Sequence, residues 1–282
     1  MVSDGYLRRH IAHYRGAGDA AVVGLLDIIQ TYVLEALSRE GYFDRGLVFK
    51  GGTALRKFFL GPAGRFSTDL DFVVSPGSQL REEILLWLSE GFELFDVSCR
   101  ISLIDDRRGA LEGSTPLGDI EIRSMVEFSD RGTWLRPVLC PPIEFAFHDG
   151  LEFDSQSVPI AEFHEILAEK LAAIWRRGHA RDLYDLAFLG RRALNESLLR
   201  RLTFLKVYAD VAEGISRGPF DPEELISSRL ASVTGWNDLG LLSAPPDPTS
   251  LTREVVNRYG FLGEPNAIEQ TISRTSLSDR NL

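Results

Sequence analysis

The sequence predicts an α+β protein with two domains, an N-terminal α+β domain over 1–158 and a helical domain over 159–282. The 282 residues allow one large or two modest domains at roughly 150 residues each. Strand-like and helical patterns are mixed up to Pro159, after which apolar residues recur at helical spacing alone. The content of 44% hydrophobic and 26% charged residues excludes a disordered, fibrous or coiled-coil chain.

The N-terminal domain is predicted to alternate helices with short strands. Apolar residues recur every three or four positions over 20–39, which predicts an amphipathic helix that ends near Gly41. Alternating or short apolar runs bounded by glycine and proline predict strands. The further predictions are a strand at 47–49, a helix over 53–60, a strand over 69–74, a helix over 79–90, strands over 94–104 and 119–128 separated by a turn-rich stretch over 109–118, and an extended, proline-broken stretch over 135–147.

The second domain is predicted to be helical throughout. Its helices are expected over 161–176, 181–193, 196–214 and 222–231, with a short final helix near 251–259. A proline-rich linker is predicted near 243–250.

Charge and composition restrict the functional classes. The net charge of −10 argues against a general nucleic-acid coat protein. Two cysteines exclude a disulfide framework. No apolar run is expected to reach the ~18 residues of a membrane span, and the first residues do not resemble a secretory signal. We therefore expect a cytoplasmic protein that has no membrane partner.

Positive charge is unevenly distributed along this acidic chain. The segment 176–206 carries eight Lys and Arg against three Asp and Glu, which suits either a phosphate-binding surface or an ordinary solvated helix face. The chain also has 27 arginines but four lysines, so a lysine on an apolar helix face is a candidate functional residue.

The stretch from Lys50 to Phe72 contains the strongest chemical pattern. Gly51 and Gly52 open a predicted helix, whose backbone N–H groups could approach a phosphate closely. Asp69 and Asp71 lie two residues apart on a predicted strand, so both carboxylates share a face. Such a pair suits Mg²⁺, which typically takes one or two carboxylates together with substrate phosphates. Each feature alone is also compatible with a structural turn or a solvated strand end.

Turn, helix, loop and acidic strand in this order resemble the polymerase-β-type nucleotidyltransferase superfamily. The segments Lys50–Leu55 and Arg65–Asp71 resemble the AbiEii family of abortive-infection toxins, which includes the mycobacterial MenT toxins. The resemblance implies a small mixed sheet and Mg²⁺-dependent transfer of NMP from an NTP to RNA, with a tRNA 3′ end as the expected acceptor and a block of translation as the result. It also implies a cognate AbiEi-type antitoxin. The nucleotide would contact Gly51, Gly52, Thr53, Arg65 and Ser67, and the metal Asp69 and Asp71.

A second match to the family lies in the helical domain. Lys170 interrupts an apolar stripe that includes Leu167 and Ile174, and the next predicted helix carries Asp182 and Asp185 on one face. The resemblance implies that one of these two aspartates joins the active site; Asp185 is favoured as the acid over Asp182, which would then have a supporting role. Lys170 could bind the triphosphate as a point charge. The alternative for Lys170 is a side chain that reaches water from the edge of the stripe.

Two further assignments follow from the same resemblance. A third metal carboxylate is expected on a later strand, where Glu127 is favoured over Glu121 and Glu144 is less favoured. Ser67 is a candidate for inhibitory phosphorylation, because a phosphate there would place about two negative charges beside the carboxylates. Ser67 could instead simply turn the chain into the strand, and Thr68 is the competing hydroxyl.

Two other functions are compatible with the sequence. NMP transfer to protein or small-molecule hydroxyls suits the overall acidity better than an RNA acceptor, for which the segment 176–206 is the nominated surface. A non-catalytic interaction module is the second alternative, which the combination of glycine pair, acidic strand and lysine disfavours.

Overall fold

The computed structural model describes residues 3–12, 14–16, 19–121, 123–242 and 246–274. The chain forms two compact units, which we call the first unit (1–162 and 240–245) and the second unit (163–239 and 246–282). The predicted domain boundary at 158 coincides with the first residue of a strand of the first unit, Val158–Ile160.

The first unit is built on a mixed β-sheet. In chain order its strands are β1 (Arg15–Gly16), β2 (Val48–Lys50), β3 (Leu70–Val73), β4 (Phe92–Leu94), β5 (Val97–Leu103), β6 (Arg108–Thr115), β7 (Gly118–Asp119), β8 (Ser124–Ser129), β9 (Val138–Cys140), β10 (Val158–Ile160) and β11 (Leu241–Leu242). Within the described residues, β1 pairs with β11 and the other nine strands form one sheet in the order β4-β5-β6-β8-β3-β2-β10-β9, with β7 beside β6. The central strand β3 is antiparallel to β2 and parallel to β8.

Four helices of the first unit lie among the described residues: α1 (Asp4–Ile11), α2 (Ala20–Arg39), α3 (Gly51–Leu55) and α4 (Leu80–Glu90). Helix α3 continues directly into a π-helical turn, Arg56–Leu60. The predicted helices over 20–39, 53–60 and 79–90 and the strands at 47–49 and 69–74 are thereby confirmed to within two residues. Helix α1 was not predicted, because its eight residues are fewer than the window over which a helical period is recognised.

Helix α2 corrects the expectation that no segment is long and apolar enough to cross a membrane. Among the described residues it alone meets that criterion, with a mean hydropathy of 1.6. However, 78% of the stretch is buried in the fold, and every residue from Gly24 to Leu37 is buried. Helix α2 is therefore a core helix surrounded on all sides rather than the one-faced amphipathic helix that was predicted.

The predicted turn over 109–118 is wrong, because most of it is strand β6. The residues alternate between buried and less buried from Arg108 to Leu111, and β6 pairs with β5 on one side and β8 on the other. Gly109, taken as a turn signal, is required by packing, since a Cβ there would lie 2.6 Å from Ile101. A glycine inside a strand commonly marks such a close approach.

The second unit is helical. Its helices are α5 (Phe163–Arg177), α6 (Ala180–Leu189), α7 (Glu196–Ala212), α8 (Pro222–Glu224), α9 (Pro248–Tyr259) and α10 (Ala267–Arg274). The predicted helices are confirmed, although the one over 222–231 is a single α-helical turn followed by a π-helical turn, Leu225–Arg229. Residues 243–245 of the predicted linker lie outside the described residues, and Pro248 already begins α9, where Asp247 caps the Ser250 N–H.

Candidate active site

The glycine pair forms a cradle for Asp71. Strand β2 ends at Lys50, which faces Asp71 across the antiparallel ladder to β3, and Gly51 begins α3 with φ of +78°. A Cβ on Gly51 would lie 1.9 Å from Asp71 Oδ2. Only a residue without a side chain both tolerates this backbone conformation and leaves room for the carboxylate. The double glycine and the acidic strand, 18 residues apart, thus form one structural feature.

The second glycine brings two more predicted residues into the same place. A Cβ on Gly52 would lie 2.7 Å from Ser67 Oγ and 2.8 Å from Arg65 Nη2. The Arg65 side chain is largely buried, with 8% of the residue exposed. A guanidinium beside the first N–H groups of a helix favours an anion, so Gly52, Arg65 and Ser67 together suit the binding of a phosphate.

The loop that leads into β3 is held by side chains from three other elements. Gln30 Nε2 of α2 donates to Ser67 O at 3.2 Å and to Thr68 O at 2.9 Å. Thr53 Oγ1 of α3 donates to Asp69 O at 2.5 Å, and Ser124 Oγ of β8 donates to Thr68 O. All three side chains are fully buried. These hydrogen bonds fix the backbone on both sides of Asp69. Thr53 donates its hydroxyl proton in one of them.

Asp71 and Glu127 lie on the adjacent strands β3 and β8, whereas Asp69 directly precedes β3 and does not lie within it as predicted. Asp69 Oδ1 accepts a hydrogen bond of 3.1 Å from the Met125 N–H. In the parallel ladder of β3 and β8, Asp71 is the direct neighbour of Glu127, so the two side chains project from the same face. Glu127 is exposed, and Glu121 lies outside the strands. The register therefore favours Glu127 over Glu121 as the third carboxylate.

The donor set suits a hard divalent cation. In the described part of the chain, no three acidic, histidine or cysteine side chains converge closely enough to form a metal-binding group. Magnesium commonly takes only one or two protein carboxylates and completes its shell with phosphates and water. The carboxylate oxygens of Asp69 and Asp71 are hard donors of the kind that such an ion takes.

A cluster of buried charged side chains stabilises the chain segment that carries Arg65 and Ser67. Asp27 of α2 accepts from Arg56 Nε at 3.0 Å and from Lys57 Nζ at 2.7 Å. Burial would raise the pKa of Asp27, but the two cations hold that pKa well below its usual range. Arg56 also donates to Gly64 O at 2.7 Å and lies 3.7 Å from the Phe66 ring centroid. The cluster thus connects α2 and the π-helical turn to the chain segment that carries Arg65 and Ser67.

The second unit contains a separate cluster around Lys170. Lys170 Nζ lies 3.0 Å from Asp182 Oδ1 and 2.9 Å from Asp185 Oδ2. Arg177 adds a two-pronged interaction with Asp182, at 3.0 Å from Nε and 2.8 Å from Nη2. Burial would raise the pKa of Asp182, but Lys170 and Arg177 lower it overall. Asp182 and Asp185 are both enclosed, with 0% and 2% side-chain exposure, whereas Lys170 retains 12%. Burial therefore does not distinguish the roles of the two aspartates.

The basic segment 176–206 carries less uncompensated charge than its composition suggests. Ion pairs to carboxylates of the second unit engage the following cations: Arg176 with Asp210, Arg177 with Asp182, Arg191 with Glu254, Arg200 with Glu269, and Lys206 with Glu165 and Glu169. Lys206 is a buried structural lysine, as is Lys57. The excess of basic residues in this segment is largely balanced by acids elsewhere in the same unit.

The supporting residues of the first unit were missed by sequence reasoning. Asp27, Gln30 and Thr31 were passed over as ordinary residues of an apolar helix. The sequence did contain a signal for these three residues. Polar side chains inside an apolar helix are costly to bury unless they form hydrogen bonds, so their presence there indicates buried partners. Which partners they bind is not encoded in their spacing.

Comparisons with known proteins agree with this geometry. The family described as the nucleotidyl transferase AbiEii toxin of type IV toxin–antitoxin systems matches residues 32–233. MenT4, a nucleotidyltransferase toxin from Mycobacterium tuberculosis H37Rv, is 31% identical with a TM-score of 0.88, over 99% of this chain and 96% of that chain. JHP933 from Helicobacter pylori is 22% identical over 83% of this chain and 92% of that chain, but its TM-score of 0.45 supports no conclusion. No curated protein matches the sequence.

The family match spans both the glycine–aspartate cradle and the Lys170 cluster. The mixed sheet and following helices are those of a MenT-type nucleotidyltransferase toxin. A toxin of this class uses a nucleotide substrate and is paired with an antitoxin. The chain belongs to the AbiEii family of nucleotidyltransferase toxins of type IV toxin–antitoxin systems.

Proposed function

We propose that this toxin transfers NMP from an NTP to RNA, with a tRNA 3′ end as the acceptor, and thereby blocks translation in the cytoplasm. The observation that supports this most directly is the cradle in which Gly51 makes room for Asp71. In the cradle, the Asp71 carboxylate lies beside the N-terminus of α3, where free backbone N–H groups suit the binding of phosphates. An AbiEi-type protein is the proposed antitoxin.

We assign the residues of the first unit to two tasks, binding the triphosphate and holding the metal ion. The first N–H groups of α3 at Gly51 and Gly52, with Arg65 and Ser67, bind the triphosphate, and Thr53 holds the Asp69 backbone. Asp69 and Asp71, with Glu127, would hold Mg²⁺, which stabilises the attacking and leaving oxygens of nucleotidyl transfer.

In the transfer, the acceptor hydroxyl oxygen bonds to the α-phosphorus and its proton passes to a carboxylate. The bond from the α-phosphorus to the bridging oxygen breaks, and pyrophosphate leaves with that electron pair. We assign Lys170 to the triphosphate and to the charge on the leaving group. Asp185 is assigned as the acid of this cluster, with Asp182 orienting Lys170.

Ser67 is the proposed site of inhibitory phosphorylation. Its hydroxyl lies against Gly52 and beside Arg65, so a phosphate there would occupy the place proposed for the nucleotide phosphates. Ser67→Ala should gain no mass from a phosphorylating antitoxin and should show the same transfer rate with and without it, with intact-mass analysis and the transfer assay as the readouts. Silencing of Ser67→Ala, with the added mass on Thr68, would assign the role to Thr68 instead.

NMP transfer to a protein or small-molecule hydroxyl is the second candidate. The specific observation in its favour is that ion pairs engage much of the basic segment nominated for RNA. An acidic chain of net charge −10 also repels a polyanionic acceptor.

The deciding experiment follows label from each of four α-³²P NTPs, with Mg²⁺, onto total tRNA and total protein. Asp69→Ala tests the site, and Asp44→Ala, an exposed aspartate of the same unit, is the matched control. Label on tRNA that is lost only in Asp69→Ala supports the RNA reaction and identifies the nucleotide. Label on protein alone would replace it with the second candidate, and label on neither would exclude both macromolecular acceptors under these conditions.

A further inference from the structure

Four charged residues form one row across the centre of the sheet. Lys50 of β2 lies opposite Asp71 of β3. Asp71 lies beside Glu127 of β8, and Glu127 lies opposite Arg108 of β6. Residues that lie directly opposite one another in adjacent strands project from the same face of a sheet. The two carboxylates are therefore flanked by a cation on each side, Lys50 next to the glycine pair and Arg108 beyond Glu127.

The two ends of this row adjoin different parts of the site. Lys50 directly precedes Gly51, the start of α3, where the triphosphate is proposed to bind. In nucleotidyl transfer the attacking and leaving oxygens lie roughly in line, on opposite sides of the α-phosphorus. If pyrophosphate leaves towards α3, the acceptor hydroxyl approaches from the side of Glu127 and Arg108. Arg108 is then the cation of the row that the acceptor meets.

The Arg108 guanidinium is held in place by the turn between β5 and β6. Asp105 Oδ2 accepts from Arg108 Nε at 2.9 Å and from Nη2 at 2.7 Å, and Asp105 Oδ1 accepts from the Arg107 N–H at 2.9 Å. The hydrogen bonds and charge of Asp105, and more weakly the charge of Glu127, raise the pKa of Arg108. Arg108 keeps 43% side-chain exposure, and within the described residues its Nη1 forms no hydrogen bond. One edge of the guanidinium is thus fixed, while Nη1 is available to an incoming group.

The group that such a donor selects is a phosphate. Guanidinium groups form strong, charge-assisted hydrogen bonds with phosphate oxygens. An RNA strand carries a phosphate at every internucleotide link, whereas a protein hydroxyl or a small alcohol carries none. Neighbouring strands are about 4.8 Å apart, so the backbones at Arg108 and Asp71 are separated by two strands, or about 10 Å. This short separation restricts the contact to the end of the acceptor that carries the attacking hydroxyl.

We propose that Arg108 binds the phosphate of the terminal nucleotide of the RNA acceptor. The contact holds the strand end so that its hydroxyl reaches the α-phosphorus beside Asp71 and Glu127. Arg108 touches the acceptor and not the nucleotide, so it affects the binding of RNA and not the binding of NTP. The inference rests on the proposed transfer to RNA, because no other acceptor class supplies this phosphate.

The test is steady-state transfer kinetics on the full-length protein, with total tRNA as the varied acceptor and a saturating concentration of the NTP that labels it. Arg108→Gln should raise KM for tRNA about tenfold, as expected for the loss of a hydrogen bond to a charged group, and should leave KM for the NTP unchanged. Arg45→Gln is the matched control, because Arg45 has 49% side-chain exposure and forms an ion pair with Glu83 of the same unit. This control should leave both KM values unchanged.

Salt dependence separates a phosphate contact from a structural role. Each phosphate of a single strand that a cation neutralises contributes about 0.7 to the slope of log affinity against log salt concentration. Arg108→Gln should therefore make the plot of log(1/KM) for tRNA less steep by about 0.7. Arg108→Lys keeps the charge and should keep the wild-type slope, although the loss of the planar guanidinium should still raise KM for tRNA.

The outcomes distinguish this contact from the proposed function. Unchanged KM and salt slope in Arg108→Gln, with wild-type label on tRNA, would refute the contact alone and leave Arg108 as a partner of Asp105 in the turn. A rise of KM for the NTP, or a fall of kcat alone, would refute it by showing an effect on the nucleotide or the metal. Wild-type label on protein or a small molecule, with none on tRNA, would refute the proposed function and the contact together.

Discussion

The carboxylates of the first unit and those of the second unit are held in different ways. Asp69 accepts from a backbone N–H and Asp71 lies in a space left by Gly51. Asp182 and Asp185 are buried against Lys170, and Asp182 also forms an ion pair with Arg177. In the first set the backbone positions the acids, and in the second set their charge is neutralised by side-chain cations.

This difference separates acids positioned by backbone groups from acids buried against side-chain cations. A carboxylate proposed to hold the metal should cost activity when it is removed, because the charge it supplies to the metal is lost. A buried carboxylate paired with two cations leaves uncompensated charge when it is removed, so its loss should cost stability first. Each of the following changes tests one side of this contrast.

The largest effect is expected for Asp71→Asn. Loss of a metal carboxylate should lower kcat for nucleotidyl transfer by about a thousandfold or more, since the metal supplies several kcal/mol of charge stabilisation. The free energy of unfolding should change by less than about 1 kcal/mol. Steady-state kinetics and urea unfolding measure the two quantities. A fully active Asp71→Asn variant would remove Asp71 from the metal site.

The second effect is a loss of stability in Asp182→Asn. The substitution leaves Arg177 and Lys170 without their shared charge, which should lower the free energy of unfolding by about 3–5 kcal/mol. Glu254→Gln is the matched control, because Glu254 has a similar two-pronged contact with Arg191 but keeps 39% side-chain exposure. This substitution should cost less than about 1 kcal/mol. If urea unfolding gave equal losses of unfolding free energy for Asp182→Asn and Glu254→Gln, the buried pairing of Asp182 would not be what stabilises the second unit.

The third effect tests the cradle by comparing two glycines with positive φ. Gly51→Ala should reduce transfer about a hundredfold, because the new Cβ displaces the Asp71 carboxylate. Gly41 has φ of +71° and no atom within 4 Å of an added Cβ. Gly41→Ala should therefore show only the backbone cost of about 1 kcal/mol and retain activity. An active Gly51→Ala enzyme would mean that the acid position is not critical.

The smallest effect is the pH dependence of the Asp182 contribution. Because the pKa of Asp182 is lowered by folding, its stabilisation is present above the unfolded pKa of about 4 and is lost as pH falls through the lower folded pKa. The stability gap between wild type and Asp182→Asn should be constant above about pH 5 and narrow below about pH 4. Urea unfolding at several pH values measures it. A gap that does not narrow in acid would show that Asp182 is not held as a charged group.

Local patterns and the family resemblance predicted much of the fold and the candidate site. The helix over 20–39, the helix after Gly51-Gly52 and the acidic strand were predicted nearly residue for residue. Strand β6 was mistaken for a turn because Gly109 and Gly113 serve close packing there, against Ile101 and Ile120. Helix α1 was missed because it is short, with eight residues, and the contact of its His10, at 2.9 Å from Asp27, depends on a partner 17 residues away.

Two kinds of information are therefore distinct in this protein. The sequence by itself determined the order of glycine pair, helix and Asp-x-Asp strand and the family to which they belong, because these depend on short spacing and backbone period. The tertiary structure alone decided that Glu127 neighbours Asp71 through strand register, that Gln30, Thr53 and Ser124 hold the loop at Asp69, and that the basic segment is largely ion-paired. These relations join residues far apart in the chain, and only packing selects among their possible partners.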